Sequence, residues 1–304
     1  MNEPLAYLNG QLLPASQAVV PVYDAGFVLG ATVTEQLRTF GGELFRLPEH
    51  LERLKHSLAR AEIQPDVGIG EMAEIATRLV AHNRGLIDSA DDLGLCIFVT
   101  PGPYAAMAEG DVSGPSVGLH TYRLPFQLWE KYSDEGVSLA TTAIEQVPAA
   151  CWPAELKCRS RMHYFLADRL AAKQFPGSRA LLLDAAGRVM ETSTANIVVY
   201  SAAEGLISPP ISQILPGISL QVLSELAAAL RLPIVKRTLL PDEVARADEV
   251  FITSTPNCIL PVTRFNGQPI GSGKPGKVFT QILSAWDQFV GLDIAGQAKR
   301  FAQR

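Results

Sequence analysis

The sequence is poor in cysteine and in long apolar runs, and each shortage argues against a class of protein. Its four cysteines, Cys96, Cys151, Cys158 and Cys258, stand far apart and form no C-x-x-C pair, which is typical of reduced thiols and not of a secreted disulfide scaffold. No stretch approaches the ~18 apolar residues of a membrane-spanning helix. The N-terminus lacks the basic start of a signal peptide. We therefore expect a cytoplasmic protein.

Positive charge and metal-binding motifs are also scarce. The chain carries 26 basic and 31 acidic residues, a formal net charge of -5, with no basic stripe. This balance argues against nucleic acid or a membrane surface as a partner. The five histidines show neither H-x-x-x-H nor clustered Cys/His spacing, so we predict no metal site. The absence of G-x-S-x-G leaves serine hydrolysis without support.

Lysine is scarce as well, because only 8 of the 26 basic residues are lysines: Lys55, Lys131, Lys157, Lys173, Lys236, Lys274, Lys277 and Lys299. Lys157 stands in ELKCRSRMHYFLAD beside Arg159 and Arg161. Neighbouring cations lower the pKa of a lysine, as a nucleophilic Schiff-base lysine requires. The spacing alone, however, favours a solvated basic face.

What the chain does contain is the composition of a globular protein, with 304 residues, 47% hydrophobic and 19% charged. At ~150 residues per domain, this length predicts two domains or one large one. Residues 120–136 lack clear periodicity, so we place the boundary near Arg123. The predicted parts are a small domain over 1–122, a linker over 123–132 and a large domain over 133–304.

Local signals predict strands interleaved with helices in both halves, hence an α/β or α+β fold. Asn9-Gly10 and Gly41-Gly42 occupy the turns of two hairpins. A helix begins at Leu47 with Pro48 in its first turn. Later helices over about 161–174, 219–230 and 278–290 alternate with strands such as VSLATTAI, ANIVVY and EVFITST.

Three further segments could hold an anionic or polar group. Glu191 follows the hairpin LLLDAAGRVM and precedes small hydroxyl residues, where backbone donors could keep it ionised at a strand start; an ordinary turn acid is the alternative. Pro216-Gly217-Ile218-Ser219 opens a helix, whose free N–H groups could bind phosphate or serve only as a cap. Thr255, in Ser-Thr-Pro at a strand end, could add a contact or belong to a plain loop.

Two further segments have patterns that argue against a binding role. Arg53 lies about 160–200° from the leucine stripe of its helix, so the pattern predicts a solvent-facing side chain. GSGKPGKV matches G-x-x-x-x-G-K but has Val278 where a phosphate-binding loop needs Ser or Thr. We interpret it as a polar turn.

The order of these motifs is more specific than any one of them. FRLPEHLERL, ELK before a helix, GRVMETSTANI, ILPGIS and DEVFITST together resemble the class IV, or fold-type IV, pyridoxal-phosphate aminotransferases. The resemblance runs from about Gly26 to Val278. It implies a small N-terminal α/β domain and a larger C-terminal pseudo-barrel α/β domain, a homodimer, and pyridoxal 5'-phosphate in the cleft between the domains.

The resemblance also implies roles for individual residues. Lys157 matches the lysine that forms the Schiff base with the cofactor and then transfers a proton. Glu191 matches the acid that pairs with the pyridine nitrogen. The phosphate contacts fall on Arg53, Ile218, Ser219 and Thr255, which reverses the solvent-facing prediction for Arg53.

Departures from the family pattern concern the substrate. Met162 stands where branched-chain enzymes carry a tyrosine, five residues after the lysine. Thr34 stands where the family has an aromatic residue, and Thr100, on the strand LGLCIFVT, stands where branched-chain enzymes have an arginine. An arginine four residues after the lysine, here Arg161, resembles the pattern of aminodeoxychorismate lyase. We expect Arg38, Thr34 and Arg161 to contact the substrate.

The resulting hypothesis is a transaminase that moves an amino group between an apolar, branched-chain-like amino acid and a 2-oxo acid. The strand LGLCIFVT offers no arginine for a side-chain carboxylate. Aminodeoxychorismate lyase, D-amino-acid aminotransferase and a non-catalytic scaffold on the same fold are the alternatives.

Overall fold

The computed structural model describes residues 3–108 and 114–304. Its strands are β1 (Leu5–Leu8), β2 (Gln11–Pro14), β3 (Val33–Phe40), β4 (Glu43–Leu44), β5 (Leu93–Thr100), β6 (Ser116–Arg123), β7 (Val137–Thr141), β8 (Ser178–Leu183), β9 (Val189–Thr192), β10 (Asn196–Ser201), β11 (Gly205–Ser208), β12 (Ile234–Lys236), β13 (Glu249–Ser254), β14 (Cys258–Phe265) and β15 (Gln268–Pro269). Its helices are α1 (Ala25–Val28), α2 (Leu47–Arg60), α3 (Ile69–Arg84), α4 (Tyr132–Glu135), α5 (Met162–Gln174), α6 (Ile218–Ala229), α7 (Pro241–Ala245), α8 (Lys277–Val290) and α9 (Ile294–Phe301).

The first compact unit, Met1–Leu124 with Leu156–Ser160, is built on a six-stranded sheet in the order β2-β1-β6-β5-β3-β4. Helices α2 and α3 cover one face of this sheet. The core between them consists of large apolar side chains such as Leu37, Leu54, Leu79 and Leu95, which are 0–1% exposed. Alternate residues of β3 and β5 therefore point toward the helices, and the residues between them line the opposite face.

The two hairpins predicted for this unit are confirmed by their turns. Asn9 and Gly10 have φ of 46° and 89°, and Gly41 and Gly42 have φ of 57° and 89°. Positive φ at both central residues is the geometry of a type I′ turn, which matches the twist of the paired strands. Local turn chemistry thus sets the register of β1 with β2 and of β3 with β4.

The second compact unit, Pro125–Glu155 with Arg161–Arg304, contains a nine-stranded sheet. Pairing of β10 with β9 joins six of its strands into a ring, in the order β10, β13, β14, β7, β8 and β9. Apolar side chains such as Leu139, Leu181 and Ile252 fill the core of this barrel, while Ala140 and Ala180 pack against α5. The predicted mixed α/β class with a larger pseudo-barrel is confirmed.

The boundaries of the two compact units differ from the predicted domain boundaries. The first unit extends to Leu124 rather than to residue 122, and it includes Leu156–Ser160, which the sequence analysis assigned to the large domain. The second unit begins at Pro125 and so contains most of the predicted linker. The reason is long-range strand pairing, since Cys158 forms a bridge with Val33 at the start of β3.

The segment GSGKPGKV is a turn region that precedes α8, as predicted. The Glu249 carboxylate accepts hydrogen bonds from the backbone N–H groups of Val278 and Phe279, at 2.8 and 2.9 Å. The chain therefore places its own anion at the start of α8, where a phosphate-binding loop would hold a phosphate. A side chain at Gly276 would overlap Glu249.

No helix within the described part of the chain is long and apolar enough to cross a membrane.

We predict that Asn83 on α3 fixes the first strand. Its Oδ1 accepts from the Leu5 N–H at 2.8 Å, and its Nδ2 donates to the Leu5 carbonyl and the Thr121 hydroxyl, at 2.8 and 2.7 Å. Asn83→Ala leaves these groups without their partners and should lower the free energy of unfolding by about 2 kcal/mol, measured by urea denaturation. The neighbouring exposed variant His82→Ala should be near neutral. An equal effect of the two substitutions would contradict the prediction.

Candidate active site

Lys157 belongs to the short segment Leu156–Ser160, which forms an isolated bridge with the start of β3 through Cys158. The Thr34 N–H donates to the Lys157 carbonyl at 3.0 Å, and the Arg159 N–H donates to the Thr32 carbonyl at 2.9 Å. The Lys157 N–H donates to the Ser57 hydroxyl of α2 at 3.3 Å. The segment precedes α5, as predicted, and Lys157 is half-buried. Backbone contacts on both sides thus fix the position of this lysine.

Arg53 is buried and paired, so the solvent-facing prediction from the leucine pattern is wrong. Its Nε and Nη2 each donate to one oxygen of Glu35, both at 2.8 Å, in a bidentate contact, and the residue is 9% exposed. The buried face of α2 is wider than its leucine stripe, because His50, Arg53 and Ser57 are buried beside the leucines. The carboxylate on β3 provides the partner that burial of a guanidinium requires.

Glu35 is the acid at the centre of this cluster. Burial would raise the pKa of its carboxyl group, but the Arg53 charge and the hydrogen bonds of Arg53 and His50 hold that pKa well below its ordinary range. His50 Nδ1 lies 2.7 Å from the same carboxylate. Burial lowers the pKa of His50, so a neutral imidazole donates to Glu35. The spacing of the five histidines did not indicate this contact.

Glu191 lies near the end of β9, not at a strand start, and its partners are mostly side chains. Tyr164 and Gln146 donate to its Oε1 at 2.8 and 3.0 Å. On its Oε2, Asn196 Nδ2 and the Leu215 N–H lie at 3.4 and 3.3 Å. Burial and the Glu191 charge raise the pKa of Tyr164, so the phenol keeps the proton that it donates. These four hydrogen-bond donors fix the position of the Glu191 carboxyl group.

The predicted phosphate contacts of the second unit lie at the start of α6 and in a turn. Ile218 and Ser219 form the first turn of α6, and Gly217 before them supplies no side-chain cap, so the first N–H groups lack an intrahelical acceptor. A Cβ at Gly217 would overlap Asn196 Oδ1, which explains why glycine is needed here. Thr255 lies half-buried in the turn between β13 and β14.

These residues fit the cofactor that the resemblance implies. Within the second unit, an uncapped helix start suits a phosphate, and a carboxyl group held by hydrogen-bond donors suits a protonated pyridine nitrogen. In the first unit, the guanidinium of Arg53 is a group of the kind that binds phosphate. The Thr253 hydroxyl and Gln146 Oε1 are buried without a hydrogen-bond partner, as expected where a polar ligand completes the contacts. The described residues contain no group of three or more His, Cys, Asp or Glu side chains that could hold a metal ion.

The predicted substrate residues are less accessible than expected. Arg38 is fully buried, its Nε donates to the Thr39 carbonyl at 3.1 Å, and its guanidinium lies 4.0 Å from the ring centre of Phe40. The Thr34 hydroxyl donates to the Ile97 carbonyl inside the sheet at 2.9 Å. Both side chains are thus engaged within the sheet, and their contact with a substrate stays a prediction. Arg161 is half-buried at the N-cap of α5.

Comparisons with known proteins agree with this arrangement. A family model described as amino-transferase class IV matches residues 32–265. A D-alanine aminotransferase of Bacillus licheniformis is 33% identical over 281 residues, which cover 91% of this chain and 94% of that protein. A D-alanine aminotransferase of Staphylococcus aureus is 27% identical over 292 residues, covering 93% and 97%. A solved branched-chain amino acid aminotransferase of Escherichia coli shares the fold, with a TM-score of 0.86, 22% identity and coverage of 97% and 96%.

We predict that Glu35→Gln strongly destabilises the chain, because it leaves the Arg53 guanidinium buried without its counter-charge. The expected loss is about 3 kcal/mol of the free energy of unfolding near pH 7, measured by urea denaturation. The exposed residue Glu43 provides the matched control, Glu43→Gln. Equal losses for the two variants would contradict the prediction.

The same pair predicts a pH dependence. Folding lowers the pKa of Glu35 from its ordinary value of 4.5, so its contribution is present above pH 4.5 and is lost as the pH falls through the lower native value. The stability difference between wild type and Glu35→Gln should therefore persist down to about pH 5 and narrow only in stronger acid. Narrowing that begins above that pH would overturn the assignment.

Proposed function

The chain belongs to the class IV aminotransferase family, whose members are enzymes dependent on pyridoxal phosphate, and we propose from this premise that it binds that cofactor and transfers the amino group of an apolar amino acid to a 2-oxo acid. The observation that carries the proposal is the placement of Lys157. Backbone hydrogen bonds hold this half-buried lysine against the start of β3 and against α2, the helix that carries Arg53.

Glu191 and the phosphate-binding residues would hold the cofactor. When bound, the cofactor supplies a protonated ring that accepts the electron pair released at the substrate Cα. Glu191 would pair with the pyridine nitrogen and keep it protonated, because Tyr164 and Gln146 fix the position of its carboxyl group. Arg53 contributes charge to the phosphate, and Ile218, Ser219 and Thr255 contribute N–H and hydroxyl donors.

Lys157 would perform the proton transfer. Its Nζ would hold the cofactor covalently and, once the amino group of the substrate has taken its place, would remove the proton from the substrate Cα. The backbone hydrogen bonds of Lys157 and Arg159 to the start of β3 limit where Nζ can lie, which favours a single path for that proton.

The apolar substrate class rests on β5, which carries no arginine to receive a side-chain carboxylate. The enantiomer is a separate matter. Two relatives named D-alanine aminotransferase favour a D-amino-acid transaminase as the second candidate. The lyase alternative retains the Arg161 position as its support, and the substrate screen below discriminates among the three.

We also propose a homodimer and a cytoplasmic location. Exposed apolar side chains cluster in one short stretch of the first unit, with Val19, Val22, Phe27 and Leu29 between 59% and 76% exposed. An apolar patch of this kind is typical of a surface covered by another chain. The cytoplasmic location is supported by the four cysteines, which are all free.

Covalent labelling tests the role of Lys157. Borohydride reduction of the protein with its bound cofactor should attach the cofactor mass to the peptide that contains Lys157, detected by mass spectrometry. Lys157→Ala should lose the label and reduce turnover by at least about 10³-fold, since the nucleophile itself is absent. Lys173→Ala, on α5, is the control and should retain both. A label on any other lysine would refute the assignment.

A half-reaction screen tests the substrate class. Single L- and D-amino acids are added to the holoenzyme without an acceptor, and the visible absorbance of the cofactor is followed. We expect the fastest change with small or branched apolar amino acids of one enantiomer. Change confined to D-amino acids would establish the second candidate. Release of pyruvate from aminodeoxychorismate, with no change for any amino acid, would establish the lyase and exclude transamination.

A further inference from the structure

The hydroxyl of Thr253, on β13, is buried in the second unit. Thr253 is 1% exposed, and among the described residues its Oγ1 has no hydrogen-bond partner. The other buried threonines in that part of the chain each donate to an oxygen, at 2.6 to 3.0 Å; they are Thr34, Thr39, Thr100, Thr192 and Thr263. A buried hydroxyl without a partner destabilises a folded chain, so this one requires an explanation.

Strand alternation shows which way Thr253 points. The side chain of Ile252 belongs to the core of the barrel, so its neighbours Phe251 and Thr253 point to the outer face of the sheet. Phe251 stacks on Phe279 of α8, and both α6 and α8 pack against β13. Thr253 is therefore buried beneath helices and not inside the barrel.

Strand register places Thr253 beside the start of α6. Thr253 is directly paired with Asn196 on β10, and paired side chains share one face of a sheet, with Cβ atoms about 5 Å apart. Asn196 Nδ2 donates to the Leu215 carbonyl at 2.9 Å, and a Cβ at Gly217 would overlap Asn196 Oδ1. The residue next to Thr253 thus contacts the segment from which α6 begins.

The same register forms a row of three polar side chains. Glu191 on β9 pairs with Asn196, and Asn196 pairs with Thr253. Neighbouring strands lie about 4.8 Å apart, so the row spans about 10 Å. Its ends are the carboxyl group proposed for the pyridine nitrogen and the Thr253 hydroxyl. A six-membered ring with a phosphate arm at its far side has a comparable length.

The start of α6 lies at the Thr253 end of this row. Gly217 provides no side-chain cap, so the N–H groups of Ile218 and Ser219 require an acceptor from outside the helix, and a helix start favours negative charge. Thr255 follows Thr253 by two residues, in the turn after β13. The helix start and the unpartnered hydroxyl are independent observations, and both call for an anionic oxygen.

We propose that the Thr253 hydroxyl donates to the phosphate of the cofactor, and that this donor destabilises the chain whenever the cofactor is not bound. The inference rests on the proposed function, because it requires a cofactor that carries a phosphate. It adds a residue of the sheet to the phosphate contacts already assigned. It also implies that this hydroxyl affects cofactor affinity and the stability of the cofactor-free protein in opposite directions.

Urea denaturation of the cofactor-free protein gives the first test. Thr253→Val replaces the hydroxyl by a methyl group of nearly the same size. We expect the variant to unfold at a higher urea concentration than the wild type, because an apolar group replaces an unsatisfied polar one. Saturating pyridoxal 5'-phosphate should then raise the midpoint of the variant less than that of the wild type. A lower midpoint for the cofactor-free variant would overturn the proposal.

Ligand affinity gives the second test. Titration of the cofactor-free protein, followed by absorbance, should show that Thr253→Val raises the Kd for pyridoxal 5'-phosphate about tenfold or more. The Kd for pyridoxal, which has the same ring and no phosphate, should change by less than about twofold. Inorganic phosphate should raise the urea midpoint of the wild type more than that of the variant. An equal change of Kd for the two ring compounds would contradict a contact with the phosphate.

Two further variants separate this role from a structural one. Thr263, on the neighbouring strand β14, is 4% exposed and donates to the Glu135 carbonyl at 2.7 Å. Thr263→Val should therefore lower the urea midpoint and leave the ratio of the two Kd values unchanged. Thr253→Ser keeps the hydroxyl and should retain the preference for the phosphorylated ligand. If Thr253→Val behaves like Thr263→Val, the hydroxyl has only a structural role and the proposal is wrong.

Failure of this inference differs from failure of the proposed function. A normal cofactor label on Lys157, together with unchanged affinity of Thr253→Val for pyridoxal 5'-phosphate, overturns the Thr253 assignment alone. Absence of the label and of any half-reaction in the wild type overturns the proposed function, and the comparison with inorganic phosphate then tests the Thr253 donor separately.

Discussion

The position of Lys157 depends on two backbone hydrogen bonds. They attach Leu156–Ser160 to the start of β3 at 3.0 and 2.9 Å, and they convert a piece of connecting chain into part of the first unit's sheet. Backbone bonds of this kind fix a segment irrespective of its side chains, so the backbone of Lys157 and Arg159 is held in a set position. The Ser57 contact adds a third attachment, from α2.

The acids of the site are stabilised in two different ways. Glu35 is held by full charge, through the bidentate contact with Arg53 and the hydrogen bond from His50. Glu191 is held by uncharged donors, chiefly Tyr164 and Gln146. The first arrangement orients a cation beside its counter-charge, whereas the second surrounds a carboxyl group with neutral donors. The chemistry proposed for each group rests on this difference.

The parts of the fold that local chemistry determines could be predicted from the sequence. The turns at Asn9-Gly10 and Gly41-Gly42, and the helix that begins at Leu47, depend only on neighbouring residues. The ordered motifs identified the family because they combine several local signals. The pattern failed at Arg53, because burial of that side depends on Glu35, which belongs to a different element.

The partners of the candidate residues could not be predicted for the same reason. Gln146 and Tyr164 reach Glu191 from distant positions in the chain, and nothing in the periodicity of either segment indicates the contact. The sequence indicated Arg159 only as a charged neighbour of Lys157. Its contact with Cys96 depends on the register that places Cys96 opposite His120 and on the bridge of Cys158 with Val33.

That bridge has a consequence for the order of assembly. During synthesis the strands β1 to β6 emerge before Leu156–Ser160. The first sheet can therefore form before Lys157 has been synthesised or its segment has paired with β3. The entropy of closing the long loop between Val33 and Cys158 must be overcome last. Lys157 is therefore added to an existing scaffold through a final bridge, and a nascent chain that stops at the end of β6 contains Arg53 and Glu35 but not this lysine.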